Sequence, residues 1–239
     1  MIGNRKLQFT NASQLNDPFD CHPKLLDYSN VPKHTRGLVP EEWWQEKEKN
    51  DALNLRNETW LCSLSKVYDS ILMWSHYCYN HKGLCIGLDL DKVMESVPPM
   101  FSMWYMKPFV IDVQYKDIIE RPNKYSSKQD LFTYQWQTKA KDWEYEQEVR
   151  LVIPRPSSMY AALTPEQDEN PKESWDWREI HHYIDLKGEC FDSIYFGINT
   201  DSSEKKMLVE YVRKELNPKI KLYQMKIDEN AFRLQPIII

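Results

Sequence analysis

Hydrophobic and polar residues alternate along several short stretches of the chain, which predicts β-strands. Period-two alternation is typical of a strand with one buried face, and short apolar runs bounded by turn formers are typical of buried strands. We therefore predict strands at Lys6–Thr10, Thr59–Ser65, Leu84–Leu90, Phe109–Tyr115, Lys141–Pro154, Phe191–Ile198 and Ile220–Ile227.

Helical periodicity and capping residues predict four helices between these strands. One starts at Pro40, one runs over Ser70 to Tyr79 behind an Asp69 cap, one lies in Ser127 to Lys141, and one follows Ser202 or Ser203. Gly83 is expected to supply the turn after the second helix. No repeat or linker divides the sequence. We predict one α+β domain over residues 1–239, with a twisted, mostly antiparallel sheet or sheets and several flanking helices.

Composition narrows the class of partner. The net charge of −5 argues against nonspecific binding to nucleic acid. Five cysteines, an odd number without a Cys-x-x-Cys pair, indicate free thiols in a reducing compartment. No apolar run has membrane-spanning length and no signal-peptide pattern opens the chain. We expect a cytoplasmic protein without membrane contact. The 9 Trp and 14 Tyr residues can line a ligand pocket as well as fill a core.

The most unusual segment is the acidic one, Lys141–Pro154. In a strand, Glu144, Glu146, Glu148 and Arg150 would share one face. Adjacent carboxylates repel unless water, an arginine or a ligand relieves them, which makes this face a candidate site. The alternative interpretation is a solvated run of charges, or a helix that pairs Glu146 with Arg150.

Two further motifs have both a structural and a functional interpretation. Asn16–Asp20 predicts a rigid Asx-type turn with Phe19 anchored in the core, whereas Asp17 or Asp20 could instead face a pocket. Trp74, His76 and Tyr77 lie on one predicted helix, where structural roles compete with ligand binding. Lys82, at the end of that helix, could bind phosphate or carboxylate. Zinc-type spacings are absent, so no metal site is expected.

Three motifs together resemble a known family. They are Phe9–Asp20, Ile71–Gly87 and Trp143–Val152, and their order and spacing resemble the bacterial family called domain of unknown function 2971. Ile194–Gly197 fits the same pattern. Members of that family usually begin with a further strand that carries a Lys-Tyr-Arg-like stretch. This sequence begins after that point, so we expect that it lacks the strand or that its start is trimmed.

Glu146-Gln-Glu148 also resembles the Glu-x-Glu element of arginine-directed ADP-ribosyltransferases. The resemblance implies NAD as substrate, Glu148 as the catalytic carboxylate and Glu146 as its helper, with a nucleotide as ligand and no further cofactor assigned. The alternative is a noncatalytic ligand-sensing or protein-interaction domain in defence or stress response. The candidate substrate-binding residues are Ser63, Ser65, His76, Tyr77, Trp74, Lys82, Arg150, Asn16 and Asp17.

Overall fold

Short strands dominate the architecture. The computed structural model describes residues 2–97, 108–154 and 179–239. The strands in these ranges are β1 Lys6–Asn11, β2 Thr59–Ser65, β3 Leu84–Leu88, β4 Phe109–Asp112, β5 Gln114–Lys116, β6 Thr138–Ala140, β7 Glu148–Pro154, β8 His181–Asp185, β9 Phe191–Phe196, β10 Lys221–Ile227 and β11 Leu234–Ile238.

The strands form two principal sheets. The first has five antiparallel strands in the order β4-β7-β2-β1-β8. The second has the order β11-β10-β9-β3 and is antiparallel except between β9 and β10. A small parallel pair joins β5 to β6. The mostly antiparallel α+β class predicted from the sequence is confirmed.

The helices are short except for one. They are α1 Lys33–Arg36, α2 Glu41–Asn57, α3 Ile71–Tyr77, α4 Leu90–Glu95, α5 Leu131–Gln137 and α6 Ser202–Tyr211, which continues into a π-helical turn at Val212–Leu216. Turns of 3₁₀ helix occur at Ala12–Gln14, Pro23–Leu25, Lys141–Glu146 and Gly188–Cys190.

The main core lies between the two sheets. Leu7, Trp60 and Leu151 from the first sheet belong to the same buried cluster as Ile194 and Phe196 from the second. Side chains of β2 and β7 that point the other way form a second cluster with Trp136, which follows from the alternation of side chains along a strand. The five-stranded sheet therefore has two covered faces, and the site lies on the second of them.

Several boundaries differ from the sequence prediction. Lys141–Glu146 is 3₁₀ helix, so the predicted strand over Lys141–Pro154 is wrong before Glu148. Phe109–Tyr115 is divided between β4 and β5, which belong to different sheets. The helix predicted in Ser127 to Lys141 is shorter and gives way to β6. β11, which pairs with β10, was not predicted from the sequence.

The local caps and turns also differ. Ser70, not Asp69, caps α3, and Asp201 caps α6 through the amides of Ser203 and Glu204. The turn after α3 has its left-handed residues at Tyr79, Asn80 and His81, whereas Gly83 was expected to supply it. A cap is set by one side-chain hydrogen bond, so neighbouring Ser and Asp residues are hard to distinguish by sequence alone.

Candidate functional site

A cavity of about 630 Å³ opens where β1 and β2 separate. Within the described ranges, these strands pair at Thr10↔Leu61 and Asn11↔Trp60. Beyond that point, the cavity lies between them and extends to α3 and to the segment before β7. Its lining comprises Leu7, Gln8, Thr10, Gln14, Leu15, Asn16, Asp20, Leu61, Cys62, Ser63, Leu64, Ser65, Met73, Tyr77, Lys139, Glu146 and Glu148.

A lysine joins the carboxylates of this cavity. Lys139 Nζ donates to Glu146 Oε2 at 2.6 Å and to Glu148 Oε2 at 2.9 Å, and it lies 3.9 Å from Asp20 Oδ2. The same ammonium lies 5.0 Å from the centroid of the Trp143 ring. All four charged side chains are buried. Lys139 is thus the counter-ion that three acids share, and the sequence analysis did not identify it.

Arg150 anchors the acids from behind and is fully buried. Its two terminal nitrogens donate to the two oxygens of Asp20, both at 2.7 Å, which is the bidentate geometry favoured by guanidinium and carboxylate. Its Nε donates to Glu148 Oε1 at 2.7 Å and its Nη1 to the Trp136 carbonyl at 2.7 Å. Arg150 therefore has a structural position below the cavity and does not line it.

An irregular backbone brings Glu146 and Glu148 together. Glu146 ends a 3₁₀ turn, and Gln147 adopts the left-handed conformation with φ 42° and ψ 55°. Glu148 then starts β7, opposite Ser65 of β2. Both glutamates contact the same lysine, as the predicted strand would also have allowed. The backbone that brings them there is a 3₁₀ turn followed by a left-handed residue, and not a continuous strand. Glu144 belongs to the same acidic run and is exposed.

Ser65 of β2 holds the backbone beside Glu146. Its hydroxyl lies 2.7 Å from the main-chain carbonyl oxygen of Glu146 and donates to it. Ser65 also accepts from the amide of Val67 at 3.1 Å. Ser65 therefore fixes the backbone at the point where the 3₁₀ turn meets the sheet. Ser63 lines the same cavity and helps to lower the pKa of Glu148.

Tyr77 reaches the site from α3. Its hydroxyl donates to Glu146 Oε1 at 2.6 Å. Burial and Glu146 both raise the pKa of Tyr77, so the phenol remains protonated and acts as a donor. A chain of hydrogen bonds thus runs from Tyr77 through Glu146 and Lys139 to Glu148.

The charges at the base of the cavity persist over a wide pH range. Burial alone would raise the pKa of Glu148, but Arg150 and Lys139 outweigh burial and lower that pKa to about 2. Burial alone would lower the pKa of Lys139, but Glu148, Glu146 and Asp20 raise it. The base of the cavity therefore keeps ionised groups at neutral pH.

Other candidates from the sequence lie away from the cavity. Trp74 is buried against the second sheet and donates to the Tyr68 carbonyl. His76 is exposed beside Tyr145, 3.2 Å from its hydroxyl, and Lys82 lies over the Tyr79 ring. None of the three side chains is among the described residues that line the cavity.

The turn at Asn16–Asp20 combines both interpretations. Asp17 Oδ1 accepts from the Phe19 amide at 2.8 Å, as predicted for an Asx turn. Phe19 is 51 % exposed, so its predicted place in the core is wrong. The turn is anchored through Asp20 on Arg150 instead. Asn16 and Asp20 line the cavity, and Asp17 is buried outside it.

Among the described residues, no group of three or more His, Cys, Asp or Glu side chains is arranged to hold a metal ion. No helix in the described part of the chain has the length and apolar character needed to cross a bilayer. The five cysteines are free.

Comparison with known proteins gives a family and no function. No curated protein and no solved structure matches the chain significantly. A family model described as a protein of unknown function, DUF2971, matches residues 73–151, a range that contains Tyr77, Lys139, Glu146, Glu148 and Arg150. The resemblance inferred from the sequence motifs is thereby confirmed over residues 73–151, whereas the motif segments Phe9–Asp20 and Ile194–Gly197 lie outside the matched range.

Proposed function

We propose that the cavity binds NAD and that the protein cleaves the bond between nicotinamide and ribose, as an ADP-ribosyltransferase or NAD glycohydrolase does. The observation that carries the proposal is the pair Glu146 and Glu148, held on one lysine at the wall of a cavity of about 630 Å³. This volume lies within the usual range of small-molecule sites.

The chemistry of the bond explains why carboxylates would help. As the C–N bond breaks, its electron pair stays with the nicotinamide nitrogen, which becomes neutral. Positive charge develops on the ribose ring. Fixed negative groups in a site from which water is excluded stabilise such a charge strongly. The cluster at the cavity contains three carboxylates and two cations, so its net charge is −1. The carboxylates are Asp20, Glu146 and Glu148, and the cations are Lys139 and Arg150. Water or an acceptor then attacks the sugar and releases a proton.

The hydrogen bonds favour Glu146 as the group that meets the sugar. A carboxylate accepts about four hydrogen bonds. Glu148 already accepts twice from Arg150 and once from Lys139. Glu146 accepts only from Tyr77 and Lys139 among the described residues, and it lines the cavity. In the proposal Glu146 contacts the ribose, and Glu148 contributes its fixed charge and positions Lys139.

Neutral donors could hold the remainder of the nucleotide. Gln8, Thr10, Gln14 and Asn16 contribute polar side chains to the same cavity, and amide donors can bind phosphate oxygens. Leu15, Leu61 and Met73 offer apolar surface for a flat ring. The free cysteines favour the reducing cytoplasm as the place of action, in agreement with the bacterial family of the resemblance.

The test is nicotinamide release from NAD by the full-length protein. We expect Glu146→Gln to lower kcat by at least about 100-fold, the effect of removing one transition-state stabilising group. Glu148→Gln should lower it similarly, provided that the variant still unfolds cooperatively. Glu144→Gln is the matched control from the same acidic run and should retain full activity. Release that survives Glu146→Gln would contradict the assigned role, and no release by the wild type would contradict the function.

A noncatalytic ligand-sensing or protein-interaction domain is the second candidate. It is favoured by the saturation of Arg150 and Glu148, since fully paired groups make a rigid platform rather than a reactive one. A rise in melting temperature with NAD, without nicotinamide release, would support this candidate against the enzyme.

A further inference from the structure

Tyr77 and Glu146 form an unequal pair at the mouth of the cavity. Glu146 is buried, with 6 % of its surface exposed, whereas Tyr77 is 52 % exposed. Their hydrogen bond, 2.6 Å between Tyr77 Oη and Glu146 Oε1, therefore joins a buried carboxylate to a half-exposed side chain that can rotate into solvent. The second donor to Glu146 is Lys139, which is itself buried and bound to Glu148.

The helix below Tyr77 is fixed independently of this hydrogen bond. Trp74 is buried, and its indole nitrogen donates to the Tyr68 carbonyl at 2.6 Å. The Ser70 side chain caps the start of the helix. Rotation of the Tyr77 side chain about χ1 consequently requires no movement of α3, and exposed side chains change rotamer within nanoseconds.

A phenol and a sugar hydroxyl are equivalent partners for a carboxylate oxygen. Each is a neutral O–H donor. A sugar hydroxyl that reaches Glu146 Oε1 must take the place that the Tyr77 hydroxyl occupies. A ligand that displaces the phenol without offering a donor leaves a buried acceptor unsatisfied, and such a loss is costly.

We propose that Tyr77 is a gate over Glu146: its hydroxyl is exchanged on Glu146 for a hydroxyl of the ligand's ribose. The cavity then selects ribose over deoxyribose, because only the former restores the hydrogen bond that it displaces. This inference rests on the proposed function for the position of the sugar, but it concerns recognition alone and requires no bond cleavage.

The experiment is calorimetric titration of the full chain with ribose 5-phosphate and with 2-deoxyribose 5-phosphate. In the wild type, ribose 5-phosphate replaces the Tyr77 hydrogen bond on Glu146, whereas the deoxy sugar breaks that bond without replacing it. The wild type should therefore bind ribose 5-phosphate about tenfold more tightly than the deoxy sugar, the effect of one hydrogen bond to a charged group. Tyr77→Phe removes the competing donor and keeps the ring, so neither sugar has a bond to break. We expect both Kd values to fall about tenfold in this variant, with the preference for ribose unchanged.

A second tyrosine–glutamate pair supplies the control. Tyr125 donates to Glu48 Oε1 at 3.4 Å, and neither residue lines the cavity. Tyr125→Phe should change neither affinity. An unchanged or higher Kd of either sugar in Tyr77→Phe, equal binding of the two sugars to the wild type, or no binding of either sugar to wild type and variant would each overturn the gate.

Failure of the gate and failure of the proposed function are distinguishable. Nicotinamide release by a wild type whose Tyr77→Phe variant binds both sugars as the wild type does would keep the function and remove the gate. Tighter binding of both sugars by Tyr77→Phe, in a protein that prefers ribose but releases no nicotinamide, would keep the gate and remove the function.

Discussion

At the scale of single residues, two buried cations compensate the negative charges of the site. Arg150 neutralises Asp20 and Glu148 from below, and Lys139 joins Glu148 to Glu146 at the cavity. Burial of such charges is tolerated only when each one is paired and hydrogen-bonded. The lowered pKa of Glu148 results from this pairing, and it makes the stability of the folded protein depend on pH.

Glu148 should make the free energy of unfolding depend on acid. Its pKa falls from an ordinary 4.5 to about 2 in the folded protein, so the unfolded chain binds the proton more tightly. The stabilisation is therefore complete above about pH 5 and is lost as the pH falls from about 4.5 toward 2. Between pH 7 and pH 3, urea unfolding should show the wild type losing about 2 kcal/mol more than Glu148→Gln.

The matched variant for this measurement is Glu144→Gln, which removes an exposed carboxylate from the same segment. It should follow the wild-type pH dependence. Parallel curves for the wild type and Glu148→Gln would show that the Arg150 and Lys139 pairings contribute no pH-dependent stability.

At the scale of elements, the alternation of apolar and polar residues predicted the regular strands correctly, but it did not predict the backbone conformation at the site. The predicted strand Thr59–Ser65 is β2 residue for residue, because its pattern matches a strand covered on both sides of the sheet. The acidic segment has the same apparent alternation, yet its first half is 3₁₀ helix and Gln147 is left-handed. Its conformation is set by Ser65 and Lys139, which are partners that no local pattern identifies. The glutamates could be predicted; their lysine could not.

The left-handed conformation of Gln147 should make stability sensitive to the residue at this position, which joins the 3₁₀ turn to β7. Gln147 is exposed, so its side chain contributes little packing, but its φ of 42° is unfavourable for branched residues. Gln147→Val should be less stable than Gln147→Gly by about 1–2 kcal/mol in chemical unfolding. In nicotinamide release, Gln147→Val should also be slower, since it displaces Glu146 and Glu148 on either side. Equal stabilities would indicate that the turn relaxes at no cost.

At the scale of the whole molecule, the buried charges connect distant parts of the chain. Asp20 lies in the turn after β1, whereas Arg150 lies in β7, and their sequence separation is 130 residues. The Asn16–Asp20 motif is thus joined to the sheet through Asp20 on Arg150. A motif that predicts only a turn from its residue types holds one wall of the cavity in place.

Removing Arg150 should therefore destabilise the whole fold rather than the site alone. Arg150→Met leaves Asp20 and Glu148 buried without their main cation, and broken buried pairs cost about 3–5 kcal/mol. Asp20→Asn in the same chain should recover part of that loss, which a double-mutant cycle measures as a coupling energy. Arg233→Ala is the control: it breaks a pair with Asp228 in which the arginine side chain is 65 % exposed, and it should cost much less than Arg150→Met. If Arg150→Met cost no more than Arg233→Ala, the buried network would not hold the Asn16–Asp20 turn against the sheet, and the cavity wall would depend on the hydrophobic clusters alone.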